Sequence, residues 1–218
     1  MKIKAVIFDM DGVICDTNPH HKIAFQEFFK KYEIYPTAKE FEDHMYGKNN
    51  EYIMSHFLGR KIQGEELDIL ADEKESLFRE LYKDQVETLA GYLDFITLLK
   101  EHNIQLGVAT SAPAANRIMI LQQLGIENYF SSLLASEDVT HHKPDPEVYL
   151  QSAKNLGVPP SECLIFEDSA SGVQAGINAG IGVIGVLSTY TAQQLPPCLT
   201  HITDYRDAKM DIVKDLIF

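Results

Sequence analysis

VIFDMDGVICD, residues 6–16, is the stretch on which the reading of this chain turns. It belongs to an apolar run, IKAVIF at residues 3–8, that has strand length and no polar alternation, the pattern of a strand buried on both faces in a parallel sheet. The run delivers two carboxylates, Asp9 and Asp11, almost side by side and then bends at Gly12. Two close carboxylates repel, so they are costly unless a cation neutralises them or one stays protonated. Both remedies suggest catalysis. The plainer alternative is a turn in which Asp11 and Gly12 satisfy backbone groups, and an Asp-Gly pair alone is a weak signal.

Working outward, similar apolar runs recur at IQLGVAT (104–110), SLLA (132–135), CLIF (163–166) and IGVIGVL (181–187). Helical patterns lie between them. One covers residues 92–101, and another covers 113–124 and stops at Gly125. A third starts from Asp145 as N-cap with Pro146 at the first helical position and stops at Gly157. A fourth runs from about Ala170 to Gly180. Strands alternating with helices predict right-handed crossovers and an α/β, doubly wound parallel sheet of Rossmann-like type. Ligands then bind at the carboxyl ends of the strands.

Residues 17–87 interrupt the alternation. Phe25, Phe28, Phe29 and Tyr32 follow helical spacing, TAKE at 37–40 reads as a capping box, and 49–58 and 64–83 also look helical. The expectation is a small α-helical cap domain at 17–87, inserted into a core built from 1–16 and 88–218, and lying over the carboxyl end of the sheet. A short strand near 201–203 and a final helix close the chain.

Composition narrows the function. At 218 residues, 45% hydrophobic and 23% charged, the chain suits one core plus a smaller appendage. A net charge of −13 opposes nonspecific attraction to nucleic acid or anionic lipid, so an anionic substrate has to be met by a local device. Three widely spaced cysteines, Cys15, Cys163 and Cys198, suggest neither a disulfide framework nor a zinc site, and a reducing cytoplasm is expected. No apolar run approaches the ~18 residues that span a bilayer, and no leader is read at the N-terminus. Nothing demands more than a monomer.

The other strand ends separate catalysis from a mere turn. The second ends in Thr110-Ser111, the fourth in Glu167-Asp168-Ser169, and Lys143 precedes Pro144 ahead of the third helix. Each has a plain reading: a strand-end cap, a solvated lysine, a helix N-cap. Together they surround one crevice with a hydroxyl, a cation and a second acidic pair.

FDMDGVICDT, VATSA, HHKPDPEVY and IFEDSASGVQAGINAG, in that order, resemble the four motifs of the haloacid dehalogenase-like superfamily of phosphotransferases, in the helical-cap branch that includes β-phosphoglucomutase and sugar-phosphate phosphatases. The likeness covers residues 1 to about 186, and four ordered motifs are far more specific than one. It implies that Asp9 is a nucleophile forming an aspartyl-phosphate, and that Asp11 is general acid and then base, with a pKa above that of Asp9. It implies Mg²⁺ held by Asp9, the backbone carbonyl of Asp11, Glu167 and Asp168, with Asp168 the surer of the last two. Thr110 and Lys143 would hold the phosphate, and backbone N–H groups in the turn at Gly12 would complete an anion cradle, with Ser111 beside it. A proton donor two residues after the nucleophile favours phosphoryl transfer over halide displacement.

The resemblance says less about substrate. Where mutase relatives carry a cap arginine after a glycine, this chain reads Gly47-Lys48-Asn49-Asn50, and Ala112-Pro113-Ala114 replaces polar residues after the second motif. Lys48 and Asn116 are the candidate substitutes, although a lysine cannot reproduce the guanidinium fork. His21 falls where mutase relatives carry a hinge histidine. His20 is expected to face solvent, His141-His142 is not expected to bind a metal, and the run DEKE at 72–75 reads as a solvated helix face. The leading expectation is a Mg²⁺-dependent phosphatase acting on a small phosphate monoester, plausibly a sugar phosphate. A β-phosphoglucomutase-type phosphohexomutase is the alternative, and a noncatalytic phosphate-binding module is the reading from another class.

Overall fold

Parallel strands place their carboxyl ends on one edge, and that edge carries the chemistry of this chain. A computed structural model describes residues 2–45 and 48–218. Two compact units emerge, Met1–Asp16 with Glu87–Phe218, and Thr17–Val86.

In the first unit, strands β1 (Ala5–Phe8), β2 (Gln105–Ala109), β3 (Ser132–Leu134), β4 (Cys163–Glu167), β5 (Gly182–Val186) and β6 (Thr200–Ile202) form a sheet of order β3-β2-β1-β4-β5-β6. Every neighbouring pair is parallel. Phe8 pairs with Val108 on one side and Phe166 on the other, so β1 ends one residue before β2 and β4, and Asp9, Thr110 and Asp168 follow the three strands at one edge of the sheet. β1 and β4 are buried along their whole length, which explains their unbroken apolar sequence.

Residues alternate between the faces of the sheet. One face stacks Phe8 on Phe166, with centroids 5.2 Å apart, and adds Phe95, Tyr92 and Tyr205. The other buries Ile7, Ala109 and Ile165 with Val148, Tyr149, Ala153 and Val173. Fully burying a valine, isoleucine or phenylalanine among these contributes about 1.5–3 kcal/mol. The covering helices are α5 (Tyr92–Glu101), α6 (Ala114–Gln123), α7 (Glu147–Leu156) and α8 (Ala170–Asn178), and a last helix spans Met210–Ile217. Asp145 is not the N-cap of α7: Pro146 takes that position, and Asp145 Oδ1 instead accepts from Glu147 N–H at 2.9 Å. An aspartate two residues before the helix satisfies one orphan amide without opening the helix itself.

The second unit holds α1 (Asn18–Lys30), α2 (Ala38–His44), α3 (Asn50–Phe57) and α4 (Glu65–Tyr82). Thr37 and Glu40 form the capping box read from TAKE. Phe25, Phe28, Phe29, Phe41, Ile53 and Met54 make its core. Three expectations fail here. Tyr32 lies beyond the end of α1 and is 41% exposed. His20 is half-buried against the ring of Tyr82, 4.5 Å between centroids. The run DEKE is not a solvated face, because Lys74 and Glu75 are buried. Leu70, Lys74, Phe78 and Tyr82 recur every four residues and are all buried, so helix periodicity outranks the local charge run. The Lys74 ammonium is 2.8 Å from Glu75, 2.9 Å from His21 Nδ1 and 4.1 Å from the Phe25 ring centroid.

Among the described residues, no helix is long and apolar enough to cross a membrane.

Candidate active site

β1 ends at Phe8, and the Asp9 amide continues the ladder by donating to the Phe166 carbonyl at 3.0 Å. Its side chain is thereby aimed past the end of β4. Gly12 turns the chain at φ +73°, and its N–H donates to Cys15 O at 2.7 Å. A Cβ at Gly12 would fall 2.0 Å from Asp168 Oδ2, so only hydrogen fits between the two motifs.

Lys143 arrives from the loop before α7. Its ammonium is 2.6 Å from Asp9 Oδ1, 2.8 Å from Glu167 Oε1 and 3.1 Å from the Ala109 carbonyl, which occupies all three of its protons. The ring of Tyr149 lies 4.8 Å from it. Burial alone pulls the Lys143 ammonium down, but Asp9 and then Glu167 reverse this, and its pKa sits well above the ordinary lysine value.

Glu167 and Asp168 are adjacent but differ in their surroundings. Glu167 Oε1 accepts from Lys143 and from the Tyr149 hydroxyl at 3.1 Å, while Oε2 accepts from Ser169 N–H and hydroxyl at 2.7 and 3.0 Å. Gly172 makes room for it, since a Cβ there would fall 1.6 Å from Oε1. Asp168 Oδ2 accepts from the hydroxyl of Thr189, and the Ser188 hydroxyl lies 3.5 Å away while donating to the Gly12 carbonyl. Oxygens of Asp9, Glu167 and Asp168 all lie within 4.8 Å of one another.

Three buried carboxylates therefore cluster where one lysine reaches two of them, Asp9 and Glu167. Burial pushes Asp9 up to about 7, against the pull of Lys143 and with the help of Glu167 and Asp11. Burial, then Glu167 and Asp9, raise Asp168 well above the usual carboxylate range. This surplus of negative charge, in a pocket of hard oxygen donors, fits a hard dication such as Mg²⁺.

The same shifts predict a pH dependence. A carboxyl whose folded pKa is raised holds a proton that the unfolded chain, at about 3.9, has lost, so stability falls as pH climbs from there toward the folded value. Carboxyls that are instead lowered, such as Glu147 and Asp207, add stability as pH rises through the unfolded carboxylate value, and that gain is complete by about pH 5. In cation-free buffer, urea unfolding is expected to show stability declining from pH 5 to 7 as Asp9 titrates, with a shallower decline in Asp9→Asn. A wild-type curve rising across that interval would contradict the burial described.

The remaining predicted residues divide by unit. Thr110 is buried, and its hydroxyl oxygen accepts from Ala112 N–H at 3.0 Å, which leaves its proton to donate elsewhere. Ser111 is exposed, and Asn116 is wholly buried in the first turn of α6. Asp11 is half-buried and near enough to Asp9 to raise it. His21 belongs to the second unit, stacked on Phe78 at 3.8 Å. Lys48, also there, is exposed, with its ammonium 5.6 Å from the Tyr52 ring, and Gly47 lies outside the described residues. His141 does come close to Asp145 and Glu147, but His142 is not part of that group, which is largely exposed.

Sequence reading missed Tyr149, Ser188 and Thr189. The last two follow the end of β5, and the rule that ligands gather at carboxyl ends would have flagged them.

The chain is similar to known proteins over most of its length. The sequence profile of the haloacid dehalogenase-like hydrolases matches residues 6–186. The chain is 33% identical to a phosphorylated carbohydrates phosphatase of Thermotoga maritima, over 82% of each chain. It is 30% identical to the β-phosphoglucomutase of Bacillus subtilis, over 84% of this chain and 83% of that one. A crystal structure of a family IA, variant 3 hydrolase from Entamoeba histolytica superposes with a TM-score of 0.91 at 29% identity, covering 99% of both chains.

Proposed function

The chain belongs to the haloacid dehalogenase-like hydrolase family, and on that premise we propose that it is a Mg²⁺-dependent phosphatase that hydrolyses a small sugar phosphate through an aspartyl-phosphate on Asp9. The observation that carries this reading is the convergence of Asp9, Glu167 and Asp168 with the Lys143 ammonium at the carboxyl ends of β1 and β4.

A carboxylate oxygen of Asp9 attacks phosphorus, the bond to the sugar oxygen breaks, and Asp11 gives that oxygen its proton. Asp11 then takes a proton from water, which attacks the aspartyl-phosphate and returns Asp9 with release of inorganic phosphate. Thr110 donates its hydroxyl proton to a phosphate oxygen. Lys143 exchanges one of its present acceptors for another and holds the charge that builds there. Asp9, the Asp11 carbonyl and Asp168 would hold Mg²⁺, which supplies charge neutralisation for the phosphoryl oxygens. Glu167 acts from behind, since its four hydrogen bonds go to Lys143, Tyr149 and Ser169.

The carbohydrate phosphatase of Thermotoga maritima supports a sugar-phosphate substrate. The likeness to the β-phosphoglucomutase of Bacillus subtilis supports phosphohexomutase activity as a second reading. Lys48 and Ala112-Pro113-Ala114, standing where a guanidinium fork and polar side chains were expected, favour hydrolysis. Phosphate release from a panel of sugar phosphates, run beside conversion of β-glucose 1-phosphate to the 6-phosphate with a bisphosphate activator, tests the choice. Isomer interconversion without phosphate release would overturn the phosphatase reading.

A further inference from the structure

Lys143 sits on a loop, yet its ammonium must reach three acceptors at once, so something has to fix that loop. Residues 139–146 run from a short 3₁₀ turn (Ser136–Asp138) to α7 without regular structure. The first residue of α7, Glu147, folds back over them. Its Oε1 accepts from Thr140 N–H at 2.9 Å, and its Oε2 accepts from His141 N–H at 2.8 Å. The His141 imidazole Nδ1 lies 2.8 Å from the same Oε2. The other side of the loop is tied by Asp145 N–H to the His142 carbonyl at 3.0 Å, and by the Asn178 amide to the Pro144 carbonyl at 2.9 Å.

We infer that Glu147 is a positioning residue for Lys143: its carboxylate clamps residues 140 and 141 to the first turn of α7 and so sets the reach of the ammonium to Asp9 and Glu167. The clamp holds the residues three and two positions before the lysine, and its carboxylate belongs to the helix that also carries Tyr149, whose hydroxyl holds Glu167 and whose ring flanks the ammonium. Loop and acceptor are thus both fixed from the first turn of α7. Two charge-assisted bonds to adjacent amides also hold the Glu147 carboxyl below its usual range, so it remains an acceptor across neutral pH. Glu147 touches neither Asp9 nor Glu167 in any hydrogen bond described, and its effect on turnover passes through the lysine.

The inference rests on the proposed role of Lys143, and a double-mutant cycle separates the two. Phosphate release from p-nitrophenyl phosphate in Mg²⁺ is followed at enzyme excess, so that slow variants are still read, for wild type, Glu147→Gln, Lys143→Met and the double variant. A carboxamide keeps the shape but turns an NH₂ toward one of the two amides, so Glu147→Gln is expected to lower the rate about tenfold in the wild-type background. In the Lys143→Met background it is expected to change the rate less than about twofold, because the group being positioned is gone. The same factor in both backgrounds would show Glu147 to be merely structural and overturn the inference alone. A full-rate Glu147→Gln would do the same. A full-rate Lys143→Met would overturn the role of Lys143 and this inference with it. Should Glu147→Gln fail to fold, Glu147→Asp takes its place in the cycle: it keeps both acceptor oxygens but retracts them by one methylene.

Discussion

Asp9→Asn is expected to lower phosphate release by at least about 10³-fold while leaving the protein folded. A carboxamide is a poor nucleophile toward phosphorus and forms no acyl phosphate that water can resolve, so the two-step route closes. The substitution is close in shape. It keeps an oxygen for the Lys143 ammonium, and the Asp9 N–H that extends the β1 ladder is untouched. It also removes one of three negative charges that burial makes expensive. Circular dichroism and p-nitrophenyl phosphate turnover, measured on the same sample, check both halves. Activity within tenfold of wild type would remove Asp9 from the role of nucleophile.

The second large effect concerns the dication. Chelation with EDTA is expected to abolish turnover, and added Mg²⁺ to restore it. In Asp168→Asn, kcat is expected to fall by roughly 10²-fold or more at saturating Mg²⁺. Stability should move the other way. Without a cation, Asp168 is one of the carboxylates whose charge burial and its neighbours oppose. Neutralising it therefore relieves repulsion, and Asp168→Asn in EDTA is expected to unfold at higher temperature than wild type. Mg²⁺ at 100 times its dissociation constant should stabilise the wild type by about 2.7 kcal/mol, and the variant by much less. Calorimetry with and without Mg²⁺ measures this. A wild-type midpoint indifferent to Mg²⁺ would argue against the metal reading of the carboxylate cluster.

The opposed effects have one origin. Three buried carboxylates lie close together, so the folded chain carries a local electrostatic cost. Lys143 offsets part of it, and the remainder would draw the proposed cation. The net charge of −13 does not prevent an anionic ester from binding on this view, because the deciding field is set within a few ångströms.

Much of this was legible along the chain. Unbroken apolar runs marked the strands, since a strand buried on both faces has no side on which to alternate. Gly125, Gly157 and Gly180 marked helix ends, and all three adopt positive φ. Asp9, Lys143, Glu167 and Asp168 could be picked as candidates because each follows or faces a strand end, where a doubly wound sheet binds its ligands.

The sequence by itself determined which segments form the sheet and which side chains stand at its carboxyl edge, because both follow from short-range periodicity and chain direction. Only the tertiary structure decided how those side chains are shared out. It committed Glu167 to Lys143, Tyr149 and Ser169, and brought Ser188 and Thr189 to Asp168. These outcomes depend on contacts between residues distant in sequence, such as the 176 positions between Gly12 and Ser188, and no local pattern encodes the burial that sets their charge and partners.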